Sequence, residues 1–316
     1  MATYLGRNSA VGLGEESTWG SAVSRTAWRP LNSSSLLRQA TFVPRPDLKS
    51  DSGSAMRRGH YQSEESMTGT FEIAATYDNI GMILKHALGT AASSGSGPYT
   101  HTYTLAAAPP TGLTIEVVRG TSTKSEVFEG CKISSMTMSV NAGECMMLSC
   151  DIIGQTSAAR GSAGTPSYSA QEHLIEASHA GQLSFNSVNY DLSSFTLTVN
   201  NSLDRRQLLG SVETSEPLRT DFMSVELSFE IEAVDTLYTA LLANTQGDAV
   251  VTFTHPTVSN RSMAFTIQNF YLNAVTDEIS DAGIVTASCS GVGESDGTDE
   301  GLQIVSVNSN SSAASN

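Results

Sequence analysis

Apolar and polar residues alternate along most of the chain, and one early stretch changes from this period of two to a period near 3.6. From Thr70 to Ile73 every second residue is apolar, as in a half-buried strand. Asp78 then stands where a helix N-cap is expected, and apolar residues recur on one helical face as far as Gly89. The stretch predicts a strand followed by a short helix. The apolar residues of this helix are Ile80, Ile83, Leu84, Ala87 and Leu88.

The same strand and helix pattern occurs a second time, between Ser224 and Thr245. There Phe229 takes the place of Phe71, and Asp235 takes the place of Asp78 as the predicted N-cap. Two further blocks repeat in the same order: residues 131–140 match 265–274, and residues 146–154 match 285–293. Three repeated blocks in one order predict a duplicated unit of roughly 150 residues, a common domain size.

The composition also favours a mainly β fold. Only 16% of the 316 residues are charged, and Ser, Thr, Gly and β-branched residues are plentiful. We therefore expect two tandem β-sandwich or barrel domains, each with one flanking α-helix, an extended N-terminal arm and a flexible C-terminal tail with one short strand at 302–307. The expected boundaries are 1–40 for the arm, 41–155 for the first domain, 156–170 for a linker, 171–293 for the second domain and 294–316 for the tail.

Charge is unevenly spread along the chain, whose formal net charge is −15. The first 60 residues hold eight basic and four acidic residues, so they carry +4 and the remainder carries −19. In one interpretation the acids keep the body soluble and the early arginines pair with them locally. In the other, the arm docks onto the acidic body of a neighbouring copy. Tight binding of duplex DNA is disfavoured, because phosphate contacts need a basic surface.

Motifs that carry chemistry are not found in the sequence. The six histidines lie outside HExxH and Cys/His metal-binding spacings, and no GxxxxGK[ST] phosphate loop occurs. The GxSxG match around Ser295 opens an acidic stretch without the strand–turn–helix context of a nucleophile. Four cysteines make no disulfide framework, and Cys150 and Cys289 fall at matching positions of predicted strands. We predict no catalytic, cofactor or metal residues, and no signal peptide or apolar membrane span.

Several segments of the first half carry a resemblance to a known family. They are the opening GLGEESTWGSAVSRTAW, the strand and helix TGTFEIAATYDNIGMILKHALG, then PYTHTYTL, GLTIEVVRG and CKISSMTMSVNAGECMMLSCDIIGQ. Together, over roughly residues 12–155, they resemble the tail tube (major tail) proteins of long-tailed bacteriophages. The resemblance implies a β-sandwich with a flanking helix, six of which form a ring whose inner strands join into one barrel. Rings stack into a tube that conducts DNA, without catalysis or a cofactor.

A duplicated domain departs from the single-domain members of that family. It implies that three chains form a ring of six tail-tube-like domains; the alternative is six chains per ring, with the second domain decorating the outside. The implied partners are other copies of the chain, other phage tail proteins, and phage DNA that passes through the lumen without specific binding. No membrane partner is implied. The implied location is the virion tail, after assembly in the host bacterial cytoplasm.

Candidate contact residues follow from the arm and from two long polar loops, Asn200–Phe222 and its expected counterpart Asp47–Ser66. Both tryptophans lie in the arm, packed either on their own chain or on a neighbouring subunit. The acids of the repeated strands, Glu72 and Glu230, are expected on equivalent faces toward the lumen, with Phe71 in the core. The candidate contacts between subunits or rings are Trp19, Trp28, Arg25, Arg29, Arg57, Arg58, Arg205 and Arg206.

Two other classes of protein remain open from the sequence. A β-sandwich binding or adhesin module would be a monomer with a concave polar site. A hydrolase would depend on Ser295. The tube interpretation instead requires self-assembly.

Overall fold

The computed structural model describes residues 6–47, 56–120, 124–161, 164–168, 172–277, 284–297 and 301–314. Strands dominate these residues, and the prediction of a mainly β fold is confirmed. The first half contains β1 (Ala10–Glu15), β2 (Ala27–Pro30), β3 (Ser33–Ser34), β4 (Leu37–Pro44), β5 (His60–Ala74), α1 (Gly81–Leu88), β6 (Gly89–Ser94), β7 (Tyr99–Leu105), β8 (Leu113–Val118), β9 (Ser125–Asn141), β10 (Met147–Gly154) and β11 (Thr156–Ser157).

The second half begins with a 3-10 turn at Ala177–His179. It continues with β12 (Leu183–Phe185), β13 (Val188–Tyr190), β14 (Leu192–Asn200), β15 (Leu203–Arg206), β16 (Ser215–Arg219), β17 (Ser224–Glu232), α2 (Asp235–Leu242), β18 (Gln246–Thr254), β19 (Ser262–Thr276), β20 (Thr286–Gly293) and β21 (Leu302–Asn308).

Eight strands form one antiparallel layer, which we call the central sheet. Its order is β4-β5-β10-β9-β14-β17-β20-β19. The strands alternate as the sequence predicts: in β14, Phe195, Leu197 and Val199 are buried, while the two threonines between them are half-buried. Alternation of this kind fixes which face of each strand meets the core.

Two groups of strands in the chain pair in the same order. The first strand set is β1, β2, β4, β5, β8, β9, β10 and β11, and the second strand set is β12, β13, β14, β17, β18, β19, β20 and β21. Each pairing in the first set, such as β1 with β8, has a counterpart in the second, here β12 with β18. The remaining counterparts are β1–β2 and β12–β13, β8–β9 and β18–β19, β9–β10 and β19–β20, β5–β10 and β17–β20, β4–β5 and β14–β17, and β9–β11 and β19–β21.

The residue register of the two sets also agrees at the repeated strand. Phe71 lies opposite Cys150, and Phe229 lies opposite Cys289. All four side chains are buried. This places the predicted cysteine and phenylalanine matches at the same point of both sheets.

The predicted match of residues 131–140 with 265–274 is wrong by five residues. Met136 lies opposite Cys150, whereas the residue opposite Cys289 is Val275. Both long strands contain an irregularity in their pairing, and apolar residues recur at every second position along both. A period of two gives several similar alignments, so the sequence pattern alone did not select the correct one.

One hydrophobic cluster runs through both strand sets. It joins core residues of the central sheet, such as Phe71 and Phe229, to outer-strand residues such as Ile115 and Phe253. The two sets therefore share a core, rather than each enclosing its own.

The structure corrects the expected extended arm over residues 1–40. Residues Ala10, Val11 and Leu13 are buried in β1, which pairs with both β2 and β8. Trp28 is also buried, with 4% of its surface exposed. The Gly and Ser residues between these strands suggested an arm, but the strands themselves are short apolar runs with a full set of partners.

The expected flexible tail is also corrected in part. Residues 302–308 form β21, the strand anticipated at 302–307, which pairs with β19 on one side and β7 on the other. Beyond it, the Tyr103 hydroxyl donates to the backbone oxygen of Ala313 at 2.9 Å. The end of the described chain thus connects the second strand set to the hairpin that follows α1.

The helix boundaries differ slightly from prediction. Helix α1 begins at Gly81, with Ile80 as its N-cap, and Asp78 instead forms a buried ion pair with Arg261 at 2.7 Å. Helix α2 begins at Asp235 itself, after Val234. Neither aspartate is the N-cap that the sequence suggested.

The segment predicted as a long loop at Asn200–Phe222 contains a hairpin, β15–β16. It folds back onto the first strand set: the backbone N–H of Glu65 donates to Val212 O at 2.6 Å, and Lys132 pairs with Glu216 at 2.6 Å. Its position between β14 and β17 corresponds to the connection between β4 and β5, as the expected match with Asp47–Ser66 implied.

Candidate functional site

The central sheet turns one face to the core and presents the opposite face, which we call the polar face, to the surroundings. Cross-strand pairing places Glu72 beside Ser149, and Glu230 beside Ser288. Both glutamates are half-buried, while Phe71 and Phe229 point to the core. Glu72 and Glu230 thus lie on one face, separated by four strands (roughly 19 Å) across the sheet and by four residues (roughly 13 Å) along the strands.

Hydroxyl and carboxylate groups dominate the polar face across the six inner strands. The half-buried apolar residues among them are Ala74, Met147, Ile153 and Val292. Lys132 lies at one end of the face, beneath β15–β16, with its charge paired to Glu216. The polar residues are Thr68, Thr70, Glu72, Ser149, Asp151, Ser135, Thr137, Ser139, Ser194, Thr196, Thr198, Glu226, Ser228, Glu230, Ser288 and Ser290.

Short hydrogen bonds hold these side chains in place. Asp151 accepts from Ser135 at 2.6 Å and from Thr70 at 2.5 Å. Glu72 accepts from Asn32 at 2.7 Å and from Ser33 at 3.2 Å. The face therefore offers fixed oxygen acceptors and negative charge, a surface that repels phosphate groups.

The two ends of the central sheet are open. Strand β4 is exposed along nearly its whole length. The last residues of β19, such as Ala274 and Thr276, are also exposed, and they pair with β20 on one side. No strand among the described residues pairs with the outer side of either segment. Open strand edges of this length form hydrogen bonds readily with another chain.

Inside the chain, the two strand sets meet through the same kind of contact. Strand β9, the last of the first set within the central sheet, pairs with β14, the first of the second set, over residues from Ser135 to Asn141. At the middle of this junction the Oγ1 atoms of Thr137 and Thr198 lie 3.3 Å apart. The chain therefore contains one paired junction between the strand sets, and open edges on β4 and β19 at the corresponding ends.

The predicted tryptophan contacts lie within the chain's own body. Trp28 packs against Gly12, where an added Cβ would lie 2.7 Å from its ring, so this position requires a glycine. Trp19 is half-buried, and its indole N–H donates to Gly130 O at 3.0 Å. Little of Trp28 is left for contact with another copy, whereas Trp19 keeps a partly exposed edge.

Arg25 and Arg29 are also engaged internally. The Arg25 guanidinium pairs with the buried Glu116 carboxylate. Arg29 is 2% exposed and donates from Nε to Asn79 O at 2.7 Å. Burial lowers the pKa of Arg29 to about 10.

The four other predicted arginines lie around the two connections between strands. Arg57 is exposed and Arg58 is half-buried, just before β5. Arg205 pairs with Glu64 at 3.1 Å, and Arg206 donates to Glu216 O at 3.0 Å. The structure gathers these four on one side of the chain but joins none of them to the glutamates of the polar face.

Exposed apolar side chains mark three surfaces, and the sequence reasoning missed the one around α2. One group lies at the β4 end of the central sheet, a second around α2 and the start of β20, and a third on the β15–β16 hairpin. The spacing of four between Val234, Tyr238 and Leu242 is readable in the sequence, but only the structure shows that this helix face is uncovered. The groups are Leu37, Phe42, Met56 and Tyr61; Val234, Tyr238, Leu242 and Ile284; and Leu208, Leu209, Val212, Leu218 and Phe222.

Catalytic or metal-binding geometry does not emerge from the described residues. They contain no group of three His, Cys, Asp or Glu side chains arranged to hold a metal ion. Ser295 lies in an exposed turn, where its Oγ accepts from Gly297 N at 3.2 Å. Burial raises the pKa of Cys150, which keeps this thiol protonated. Among the helices of the described chain, none has the length and apolar character needed to cross a bilayer.

Comparison with known proteins identifies the family of this chain. The model of the family described as phage tail tube protein matches residues 6–293, nearly the whole chain. Among curated proteins, none matches this chain. The matched family is one of structural proteins, not enzymes, and it implies self-assembly, association with other tail proteins and a place in the virion tail. By a match of this extent, the chain belongs to the phage tail tube protein family.

Proposed function

We propose that copies of this chain join edge to edge through the open ends of the central sheet, and that three copies close into a ring. The β9–β14 junction carries this proposal, because it is a built example of how the end of one strand set accepts the beginning of another. The corresponding end of the second set is the last part of β19, and the corresponding beginning is β4 of the next copy. Chains joined in this way repeat head to tail and close by rotation.

The internal junction gives the expected register of the contact between copies. Thr276 corresponds to Thr137, since each follows the residue that lies opposite Cys289 or Cys150. Leu37 corresponds to Thr198, since their partners in β5 and β17 each lie three residues before the matched phenylalanines. Thr276 of one copy would therefore face Leu37 of the next.

Three chains supply six strand sets, the number that the family resemblance implies for one ring. Each chain contributes eight strands, and three chains would close a barrel with a diameter of roughly 45–50 Å at ordinary strand spacing and tilt. The polar face would line the lumen, with Glu72 and Glu230 pointing inward. Its negative charge lets DNA pass without adhering, because a polyanion finds no basic partner there.

Rings would stack through the β15–β16 hairpin and the connection between β4 and β5. Leu209 and Phe222 on the hairpin are 105% and 91% exposed, an arrangement that an isolated soluble chain rarely retains without a partner. Arg57, Arg58 and Arg205 lie beside these segments and would contribute charge contacts to the adjacent ring. We place assembly in the host cytoplasm and assign no catalytic role to the chain.

A cysteine pair tests the ring and its register together. Thr276→Cys with Leu37→Cys should form disulfides between copies under mild oxidation, because opposed residues of antiparallel strands have the required Cα separation. On a non-reducing gel, a covalently closed ring of three chains is the expected product. Negative-stain images of the same sample should show rings or hollow tubes.

The matched control moves one cysteine by two residues on the same face. Thr276→Cys with Gln39→Cys should cross-link far less, since diagonal neighbours lie roughly 7–8 Å apart. A closed product of six chains would overturn the three-chain ring while keeping the register of the contact between copies. Monomers without cross-links, at concentrations where the wild-type chain also forms no rings, would overturn the proposed function.

A further inference from the structure

The uncovered face of α2 is a narrow apolar stripe. Val234, Tyr238 and Leu242 are 42%, 50% and 71% exposed, and their spacing of four puts them on one side of the helix. Leu237, about 100° around the helix from Tyr238, is fully buried and attaches the helix to the second strand set. The stripe is therefore a surface feature rather than a loosened core.

Helix α1 has a cover that α2 lacks. After α1 the chain forms the β6–β7 hairpin, which contacts the helix, and the described C-terminal residues pack at its start. After α2 the chain passes into β18 within a few residues, so no corresponding hairpin exists. Seven of the eight α1 residues are buried, against one in α2. Among the described residues, the second strand set brings no cover of its own for this helix.

The internal junction shows which part of the next copy would reach α2. Asn201, immediately after β14, crosses the junction and donates from Nδ2 to Ala87 O in the last turn of α1, at 2.9 Å. In the register of the two sets, the position equivalent to Asn201 is Ala40 in β4. The last turn of α2, which contains Leu242, would thus lie beside Ala40 of the next copy.

An exposed aromatic side chain lies at that place on β4. Phe42, two residues after Ala40 and on the same face of the strand, is 61% exposed. Tyr61 on the neighbouring strand is 49% exposed, but it lies opposite Val43 and therefore points to the other face of the sheet. Large aromatic side chains of this kind are frequent anchors of protein interfaces.

We infer that the α2 stripe of one copy is covered by Phe42 of the next copy, as a second contact beside the β19–β4 pairing. This inference rests on the proposed edge-to-edge ring. It assigns the helix of the second strand set to the interface between chains, and the helix of the first set to the interior of the chain. Aromatic packing against the stripe also excludes water from the paired strand edges.

The test uses the full-length chain with the Thr276→Cys and Leu37→Cys pair. Adding Tyr238→Ser and Leu242→Ser should reduce the three-chain cross-linked product at least tenfold, and Phe42→Ser should do the same from the other side. Circular dichroism and melting should stay close to the parent, because all three side chains are exposed in the single chain. Val188→Ser, a 43% exposed position away from both open ends, is the matched control and should leave the yield unchanged.

A direct measurement identifies the surface that covers the stripe. A benzophenone amino acid at Tyr238 should photo-cross-link to peptides of another copy that contain Phe42. Cross-links to other peptides, or full ring yield from the Tyr238→Ser and Leu242→Ser chain, would overturn the inference while leaving the ring intact. Absence of rings and disulfides in the parent cysteine pair would instead remove the proposed function on which it rests.

Discussion

Helices α1 and α2 have the same length and follow matched strands, yet they occupy opposite environments. Leu84, the fourth residue of α1, is completely buried, while Tyr238, the fourth residue of α2, is half exposed. The difference in burial does not come from the helices themselves. It comes from chain segments that cover α1 and that have no equivalent at α2 among the described residues. The comparison shows that burial of a repeated element depends on its neighbours in the assembly as much as on its own pattern.

The segments that lead into α1 and α2 also differ in the contacts that hold them. At Tyr77 and Asp78 the segment before α1 receives groups from distant parts of the chain: Asn308 Nδ2 donates to Tyr77 O at 3.0 Å, and Arg261 pairs with Asp78. The segment before α2 is held by a backbone bond from Ala233 N to Val285 O at 2.9 Å. The entrance to α1 is thus a meeting point of both strand sets and the C-terminal strand.

Removing the ion pair at this meeting point should have the largest effect. Arg261→Met leaves the Asp78 carboxylate buried without its cation; the two side chains are 6% and 2% exposed. Breaking a buried pair by removing one partner costs about 3–5 kcal/mol of unfolding free energy. Urea unfolding of the monomeric chain measures it.

The control for this variant is an exposed pair. Arg45 and Asp47 lie 3.0 Å apart with side chains 48% and 34% exposed, so Arg45→Met should cost less than about 1 kcal/mol. Equal losses from Arg261→Met and Arg45→Met would mean that the entrance to α1 is not a stabilising centre.

The contrast between the helices predicts unequal effects at their fourth residues. Leu84→Ala should lower the unfolding free energy by about 2–5 kcal/mol, through lost burial and the cavity left behind. Tyr238→Ala should change it by less than about 1 kcal/mol in the isolated chain, since the side chain is already half exposed. Comparable losses in urea titrations of the two monomers would contradict the proposed division between interior and interface helices.

Protonation should loosen the entrance to α1 by a smaller amount. The pKa of His179 is lowered, chiefly by burial; its Nδ1 lies 3.1 Å from the Tyr77 hydroxyl, and Glu176 and His255 also face it. The unfolded chain therefore accepts this proton at a higher pH than the folded chain. Stability should be constant well above pH 6.5 and fall below it, by at most about 1.4 kcal/mol per pH unit from this group.

Unfolding titrations of wild type and His179→Gln at several pH values measure that dependence. The variant should lose part of the slope below pH 6.5. His60→Gln, at an exposed position of β5, should keep the wild-type slope. An unchanged slope in His179→Gln would assign the acid sensitivity to other groups.

The smallest effect on stability is expected at the polar face. Glu72→Lys and Glu230→Lys should each change the unfolding free energy by about 1 kcal/mol or less, because both sites are half-buried on the polar face of the sheet. In assembled tubes, however, both should cause salt-dependent retention of duplex DNA. A filter-binding assay at two salt concentrations measures this, and retention by only one variant would show that the two strand sets do not share a lumen.

The sequence predicts the repeated elements well where alternation and burial coincide. Phe71, Cys150, Phe229 and Cys289 are matched correctly, because each is a buried position beside polar neighbours. The positions of Glu72 and Glu230 on one face follow from the same period. The lumen, the ring and the stacking contacts stay predictions.

Features that depend on distant partners could not be predicted in this way. The sequence does not predict the strand near residues 10–15, and it places the strand anticipated at 302–307 in a flexible tail. Both are stabilised by pairing with β8, β19 and β7, which local periodicity does not encode. Asp78 has the residue type of an N-cap, but its partner Arg261 is distant in sequence. The exposed stripe of α2 has a helical spacing that fits a core face equally well, so only the missing cover distinguishes the two.

The closed β9–β14 junction also bears on how quickly a ring can form. Its two halves are tethered by one polypeptide, so they meet at the millimolar effective concentration typical of short linkers, whatever the amount of protein in solution. In a ring of six strand sets, half of the seams would then form during folding and only the other half by collision between molecules. A seam between molecules would lack this tether, so an equal loss of pairing free energy would weaken it more than the tethered seam.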